Sequence, residues 1–406
     1  MDNDQTFVIV GASLTGAKAA EELRDRGFEG RVILLGEERE RPYERPPLSK
    51  DFLRGEAVDK PFVHDAKFYT DSKIDLRTGV AVTAIDPLGS TVTVGGSETI
   101  EFDRLLIATG AEPRRLNLPG GDLDGIVYLR TVGDSEALGA RFGDGVRVVV
   151  VGAGWIGSEV AASARQKGCE VTMIAPESAP LERVLGAELG KVYRDVHEDQ
   201  GVRFLAGTGV TGFDGSSSAE AVLTDCNERV EADVVVVGAG VLPRTDLAEA
   251  ARIPTDNGIL VGASLETEAP GIFAAGDVAN AMNPFYNRRI RVEHWANARR
   301  QGAAAARSML GEQVQFDEIP YFFSDQYDVG MEYVGYAPES DRVVYRGDVD
   351  GCEFIAFWLK DGRVIAGMNM NVWDVSEKIR DLIRSRAQVD VGRLADPDAD
   401  LESLAG

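Results

Sequence analysis

Two glycine turns carry the first chemical signal in this chain. Gly152-x-Gly154-x-x-Gly157 is complete, and Gly11-x-Ser13-x-x-Gly16 keeps the spacing with serine in the middle. The pattern suits a dinucleotide pyrophosphate. The first glycine permits a tight turn, the second lets the phosphate approach the backbone, and the third lets helix and strand pack closely. The N-terminus of the helix that follows then favours the phosphate charge. A tight turn without a ligand is the alternative for each, and Ser13 makes the first turn the weaker motif by itself. Glu37 lies 21 positions after Gly16, where a carboxylate can accept ribose hydroxyls; a solvated surface glutamate is the alternative there. Groups for other chemistries are scarce. Cys169, Cys226 and Cys352 form no CxxC, and the histidines stand apart at 64, 197 and 294. Neither a disulfide framework nor a metal site is expected.

The elements that must position these turns repeat. Phe7–Val10 and Val148–Val151 are short apolar runs, each leading through its glycine turn into a helical stretch that ends at Gly27 or Gly168. Continuous apolar strands of this kind belong in parallel sheets covered on both faces. Second strands follow at Val32–Leu35 and Val171–Ile174, giving two βαβ units. Residues 80–104, with turns at Asp86-Pro87 and Gly95-Gly96, predict a small antiparallel meander. Leu105–Gly110 returns as a buried strand. The second half echoes this with alternating segments over 202–230 and then Val234–Gly240. Ile272–Asp277 and a long helix near 295–310 follow. From Pro320 the character changes: Asp350-Gly351 and Asp361-Gly362 each sit between alternating strands, the hairpin signal, and a helix is expected over about 375–386. The fold class is therefore α/β, with two Rossmann-like three-layer dinucleotide-binding domains and a C-terminal α+β domain. The expected division is 1–112 and 245–319 for one dinucleotide domain, 113–244 for the other, and 320–406 for the last.

Composition narrows the partners. The 406 residues include 67 acidic and 43 basic side chains, for a net charge of −24. Such a chain repels nucleic acid and anionic membrane. The apolar runs are too short to span a bilayer, and no leader segment precedes the first strand, so a cytoplasmic protein is expected.

Residues 41–50, Arg-Pro-Tyr-Glu-Arg-Pro-Pro-Leu-Ser-Lys, with Ala275-Gly-Asp277, make the reading specific. So do Ala108-Thr-Gly110, Tyr128-Leu-Arg-Thr131, Asp256-Asn-Gly258, Arg291-Val-Glu-His-Trp295 and Ser324-Asp-Gln-Tyr327. Essentially end to end, the chain resembles the FAD-dependent ferredoxin reductases of bacterial oxygenase systems, which are two-dinucleotide-binding flavoproteins. The resemblance implies an oxidoreductase that passes a hydride from NAD(P)H to FAD and then single electrons to an iron–sulfur ferredoxin. It implies FAD contacts at Gly11, Ser13, Thr15, Gly16, Glu37, Arg45, Lys50, Val82, Ala108, Thr109, Gly110, Arg130, Gly276, Asp277, Val278 and Trp295. For NAD(P)H it implies Gly152, Gly154, Trp155, Ile156, Gly157, Glu159, Glu177 and Gly240. Lys50 and Glu159 are expected to pair and to position the nicotinamide. Arg45 and Arg130 can neutralise a pyrophosphate, and Asp277 can accept a ribityl hydroxyl. A helix starting after Asp277 would set its dipole against the reduced flavin.

Two departures stand out. The family usually ends the second strand of the nicotinamide domain with an acid that holds the adenosine ribose. Here that place is Ala175, with Glu177 two positions on. No arginine follows Ile174 until Arg183, so a 2′-phosphate has no adjacent partner and NADH is favoured, NADPH being the alternative. The family's Trp-Ser-Asp-Gln is Phe323-Ser-Asp-Gln326, which removes an indole donor.

Arg288, Arg289, Arg291, Arg299, Arg300 and Arg307 cluster with only Glu293 opposing in the same stretch. They are expected to dock an acidic ferredoxin, with a solvated face laced by internal salt bridges as the alternative. Two other functions compete. Electron delivery to a disulfide or peroxide needs a redox cysteine beside the flavin, and the 41–50 run has none. A redox-sensing role like that of apoptosis-inducing factor, which shares the same run, would show as slow reoxidation after NADH.

Overall fold

A computed structural model of the chain describes residues 4–404. The chain divides into two compact units, each assembled from separated segments. The first comprises Met1–Glu44, Pro61–Glu112 and Val241–Pro320; the second comprises Arg45–Lys60, Pro113–Gly240 and Tyr321–Gly406.

The first unit is built on a five-stranded parallel sheet, ordered Ile272–Ala274, Arg104–Ile107, Thr6–Val10, Arg31–Leu35, Ile74–Arg77. Its inner strands are apolar on both sides, and Val8, Ile9, Ile33, Leu34, Leu105 and Leu106 are fully buried. The helix Leu14–Asp25 lies against the helix Trp295–Met309. Their backbones meet at Gly302, where a Cβ would stand 2.4 Å from the Thr15 carbonyl oxygen. The expected meander is present as Val82–Asp86, Thr91–Val94 and Glu98–Glu101, paired antiparallel.

The second unit repeats the plan. Its parallel sheet runs Arg203–Leu205, Glu170–Ile174, Arg147–Val151, Val234–Val237, Ile126–Val127. A three-stranded antiparallel sheet, Val210–Asp214, Ala221–Thr224 and Arg229–Glu231, accompanies it. Residues from Tyr321 form a five-stranded antiparallel sheet with the two expected hairpins, and the helix Ser376–Ser385 packs on it. This sheet shares one core with the helix Ala187–Asp199: Phe322, Tyr333 and Trp358 lie among Leu185, Leu189 and Tyr193. Trp155 sets its ring edge against Phe322 with centroids 4.7 Å apart.

Candidate functional site

In the first unit the candidate residues all follow the C-terminal ends of parallel strands in one sheet, the edge at which open α/β sheets bind ligands. Gly11 leaves strand Thr6–Val10, Glu37 lies past Arg31–Leu35, Ala108 follows Arg104–Ile107, and Gly276 follows Ile272–Ala274. Helix and strand press together at the turn. A Cβ at Gly16 would lie 2.1 Å from the Gly11 carbonyl oxygen, and one at Gly11 would lie 2.1 Å from that of Ala108. Ser13 is the N-cap of helix Leu14–Asp25, yet its side chain makes no capping bond. The first-turn N–H groups thus keep their capacity for an anion. Gly276, at φ +81°, brings the backbone so close to Thr15 that a Cβ would meet Thr15 Oγ1 at 2.4 Å. The Gly276 N–H donates to Gln301 Oε1 at 2.8 Å.

Other members of the set are held by neighbours in the same unit. The Thr109 hydroxyl donates to the Arg244 carbonyl at 2.8 Å, and the Arg244 N–H donates to that of Gly110 at 3.0 Å. The Arg244 guanidinium reaches Glu37 at 2.8 Å. Val82 opens the meander, and Val278 is fully buried. Trp295 starts the long helix with the Arg299 guanidinium 4.5 Å above its ring. No helix begins after Asp277, contrary to the sequence expectation. A 3-10 turn over Gly276–Val278 passes directly into strand Ala279–Asn283, and Asp277's own carbonyl accepts from Arg291 at 3.2 Å. A pair of β-strands, Ala279–Asn283 and Arg288–Arg291, occupies the chain that a helix would have used.

The second unit holds the complete turn. A Cβ at Gly157 would lie 2.1 Å from the Gly152 carbonyl oxygen, whereas one at Gly154 would meet nothing within 4 Å. The close approach and the open front are what a phosphate-binding turn needs. Helix Trp155–Gln166 has no side-chain cap. Gly240, at φ +90°, also faces open space. Ile156 is 44% exposed. Ala175 is buried, and Glu177 pairs with Arg183. Arg183 therefore stands beside the candidate ribose acid, which corrects its dismissal as too distant in sequence: residues 176–182 fold back on themselves, and Leu181 takes a left-handed φ of +60°.

Glu159 lies on the buried face of that helix and is 5% exposed. Lys50 Nζ is 2.9 Å from its Oε2, and the Ser49 hydroxyl donates to the same oxygen at 2.5 Å. The Ser324 hydroxyl donates to Oε1 at 2.7 Å. The segment 45–60 is fastened to this helix by Ser163, which donates to the Ser49 carbonyl at 2.6 Å, and by Ser135, which donates to that of Leu48 at 2.7 Å. Lys50 Nζ also lies 5.5 Å from the Phe323 ring centroid, so an aromatic face persists where the family has indole. Arg45 donates to the Arg130 carbonyl. Arg130 is anchored through its N–H to Asp134, part of the capping box of helix Val132–Gly139. Ser49, Ser324 and Gln301 were missed as site residues. Gln301 gave a usable signal, an amide on the alanine-rich face of a helix.

The arginine cluster is more neutralised than its stretch of sequence implies. Arg291 pairs with Glu293, but Arg300 also pairs with Glu318 at 2.8 Å and Arg307 with Glu312 at 2.8 Å. Both glutamates lie beyond the stretch in which opposing charge was counted. Arg289 spends donors on the carbonyls of Val261 and Asn280. Among cysteines, Cys169 is fully buried and burial pushes its thiol up, away from the reactive thiolate.

Paired glycine turns on two parallel sheets define a dinucleotide-dependent oxidoreductase, and the chain belongs to the pyridine nucleotide-disulphide oxidoreductase family, whose model matches residues 5–302. The reductase C-terminal model matches 321–405. The chain is 40% identical to the ferredoxin–NAD(+) reductase component of the anthranilate 1,2-dioxygenase system of Burkholderia cepacia, over 98% of each chain. It is 33% identical to putidaredoxin reductase of Pseudomonas putida, over 100% of this chain and 97% of that one. The crystal structure of the covalent putidaredoxin reductase–putidaredoxin complex superposes with a TM-score of 0.95, at 33% identity, covering 99% of this chain and 98% of that chain.

Proposed function

We propose that this chain takes reducing equivalents from NAD(P)H, with NADH preferred, and delivers them through FAD to an iron–sulfur ferredoxin that feeds an oxygenase. The observation that carries the reading is the pair of parallel sheets, each ending in a glycine turn that opens an uncapped helix. FAD supplies what side chains cannot, accepting two electrons together and releasing them singly. Gly11, Ser13, Thr15 and Gly16 hold the FAD pyrophosphate against helix N–H groups, with Arg45 and Arg130 neutralising it. Glu37 takes the ribose, exchanging Arg244 for the hydroxyls. Asp277 accepts a ribityl hydroxyl, and Val82, Ala108, Thr109, Gly110, Gly276, Val278 and Trp295 complete the flavin contacts. Gly152, Gly154 and Gly157 hold the nicotinamide dinucleotide's pyrophosphate, with Trp155, Ile156 and Gly240 beside it. Glu177 accepts its ribose and repels a 2′-phosphate, which is why NADH is preferred. Lys50 and Glu159 position the nicotinamide. Functionally the chain divides into 1–112 with 245–319 for FAD, 113–244 for NAD(P)H, and 320–406 as the C-terminal domain. No helix among the described residues is long and apolar enough to cross a membrane, and a cytoplasmic location belongs to this proposal.

The test is direct. The purified protein carries a flavin spectrum, NADH bleaches it anaerobically, and cytochrome c reduction depends on an added ferredoxin. A colourless protein that cannot take up FAD overturns the reading. A clear preference for NADPH in flavin-reduction rates overturns the choice of NADH.

A further inference from the structure

Behind Glu159 runs a buried line of polar groups that the hydride donor and flavin do not require for binding. It lies wholly within the second unit. Ser324 donates to Glu159 Oε1 at 2.7 Å, and Gln326 Nε2 donates to Ser324 Oγ at 3.3 Å. His197 Nε2 lies 2.9 Å from Gln326 Oε1, and the Tyr327 hydroxyl lies 3.1 Å from His197 Nδ1. Ser324, Gln326 and His197 are each 1% exposed or less.

Chemistry fixes the direction of every bond. A carboxylate facing the Lys50 ammonium and the Ser49 hydroxyl offers only acceptors, so Ser324 spends its one proton on Glu159. The Ser324 oxygen must then accept, which puts the amide nitrogen of Gln326 against it. The amide oxygen consequently faces His197, so Nε2 carries the imidazole proton and Nδ1 accepts from Tyr327. Four donors point the same way and end on one carboxylate oxygen, an arrangement in which each bond polarises the next. Burial pushes the His197 imidazole down to about 4, against the opposing Gln326 contact, which keeps the ring neutral.

We propose that His197 and Gln326 are positioning residues that, through Ser324, hold the Glu159 carboxylate oriented and charged against Lys50. The proposal rests on the assignment of Lys50 and Glu159 to the nicotinamide. The charged or titratable groups around Glu159 are Lys50 from segment 45–60, Tyr193 from helix Ala187–Asp199 and Asp325 from strand Tyr321–Gln326. Arg54 reaches Ser163 on Glu159's own helix at 3.4 Å. None of these replaces the Ser324 donor on Oε1.

The experiment uses the FAD-loaded protein. Only three histidines are present, so the His197 ring nitrogens can be assigned in a 15N spectrum by difference against His197→Gln. The expected result is an Nε2–H tautomer that does not titrate between pH 5 and 9, with a resonance that moves when Glu159 is changed to Gln. Stopped-flow reduction by NADH is then compared for Gln326→Leu and Lys50→Ala. Gln326→Leu is expected to lower the limiting rate about tenfold while the NADH Kd stays within about threefold, since loss of orientation acts on the rate more than on binding. The acidic limb of its pH profile moves to higher pH, because a carboxylate that loses a donor is less stable charged. An Nδ1–H tautomer, titration near pH 6.5, or a Gln326→Leu rate and pH profile like those of the unmodified protein overturns the proposal. If Lys50→Ala also reduces at full rate, the nicotinamide assignment itself is what fails. If Gln326→Leu does not fold, the 15N result on the unmodified protein decides alone.

Discussion

Gly157 has no room for a methyl group. A Cβ there would fall 2.1 Å from the Gly152 carbonyl oxygen, and both partners are backbone. Gly157→Ala is therefore expected to force helix Trp155–Gln166 off its strand, costing about 1–3 kcal/mol as an overpacked site does. NADH titration should show affinity lost while the flavin spectrum persists; unchanged NADH affinity would contradict the turn's role. His197 gives a second prediction. Its folded value of about 4 lies below the ordinary 6.5 or so of an unfolded imidazole. The unfolded chain thus takes up the proton first. The stability this ring contributes is full above about pH 6.5 and is lost as pH falls toward 4, to a total of about 3 kcal/mol. Thermal unfolding at pH 7 and pH 5 should show the loss, and His197→Gln should shrink it. An equal loss in that variant would assign the acid sensitivity elsewhere.

Phe322 ties the C-terminal sheet to the elements behind the second glycine turn. It is 8% exposed, stacks on Tyr333 at 5.1 Å and meets the edge of Trp155. Phe322→Ala should cost about 3–5 kcal/mol, as large-to-small core changes do, and should shift the Trp155 emission. A variant with native emission and stability would mean that Trp155 is held by other contacts. The contrast with Gly157 explains what could be read beforehand. Strands, glycine turns and hairpins were legible because their signals are local: apolar runs, positive-φ residues and turn pairs within a few positions. Lys50 and Glu159 were legible as a pair only through the 41–50 run. Ser324 was not, because its bond to Glu159 spans 165 residues and nothing in a serine's neighbourhood announces a distant partner. The helix expected after Asp277 failed for a related reason. Ala279–Asn283 becomes a strand by pairing with Ile259–Val261 and Arg288–Arg291, a tertiary choice that overrides local propensity.

The whole molecule carries −24, yet Arg288, Arg289, Arg291, Arg299 and Arg300 lie on one strand and the helix that follows it. With Arg300 and Arg307 paired to glutamates, the steering field is expected to come mainly from Arg288 and Arg299. Reversing both to Glu should slow association with an acidic ferredoxin about tenfold at low salt, with the difference fading as salt is raised. Docking rates indifferent to the reversal and to salt would place the partner elsewhere. The interleaving of the two units has a separate consequence, for synthesis. Strand Ile272–Ala274 completes a sheet begun at Thr6, so a ribosome must translate two-thirds of the message before the first sheet can close. The sheet that spans Ile126 to Val237 emerges earlier and in one stretch. The half made first is thus the last to start folding to completion, and the flavin half of the nascent chain waits, unclosed, for its final strand.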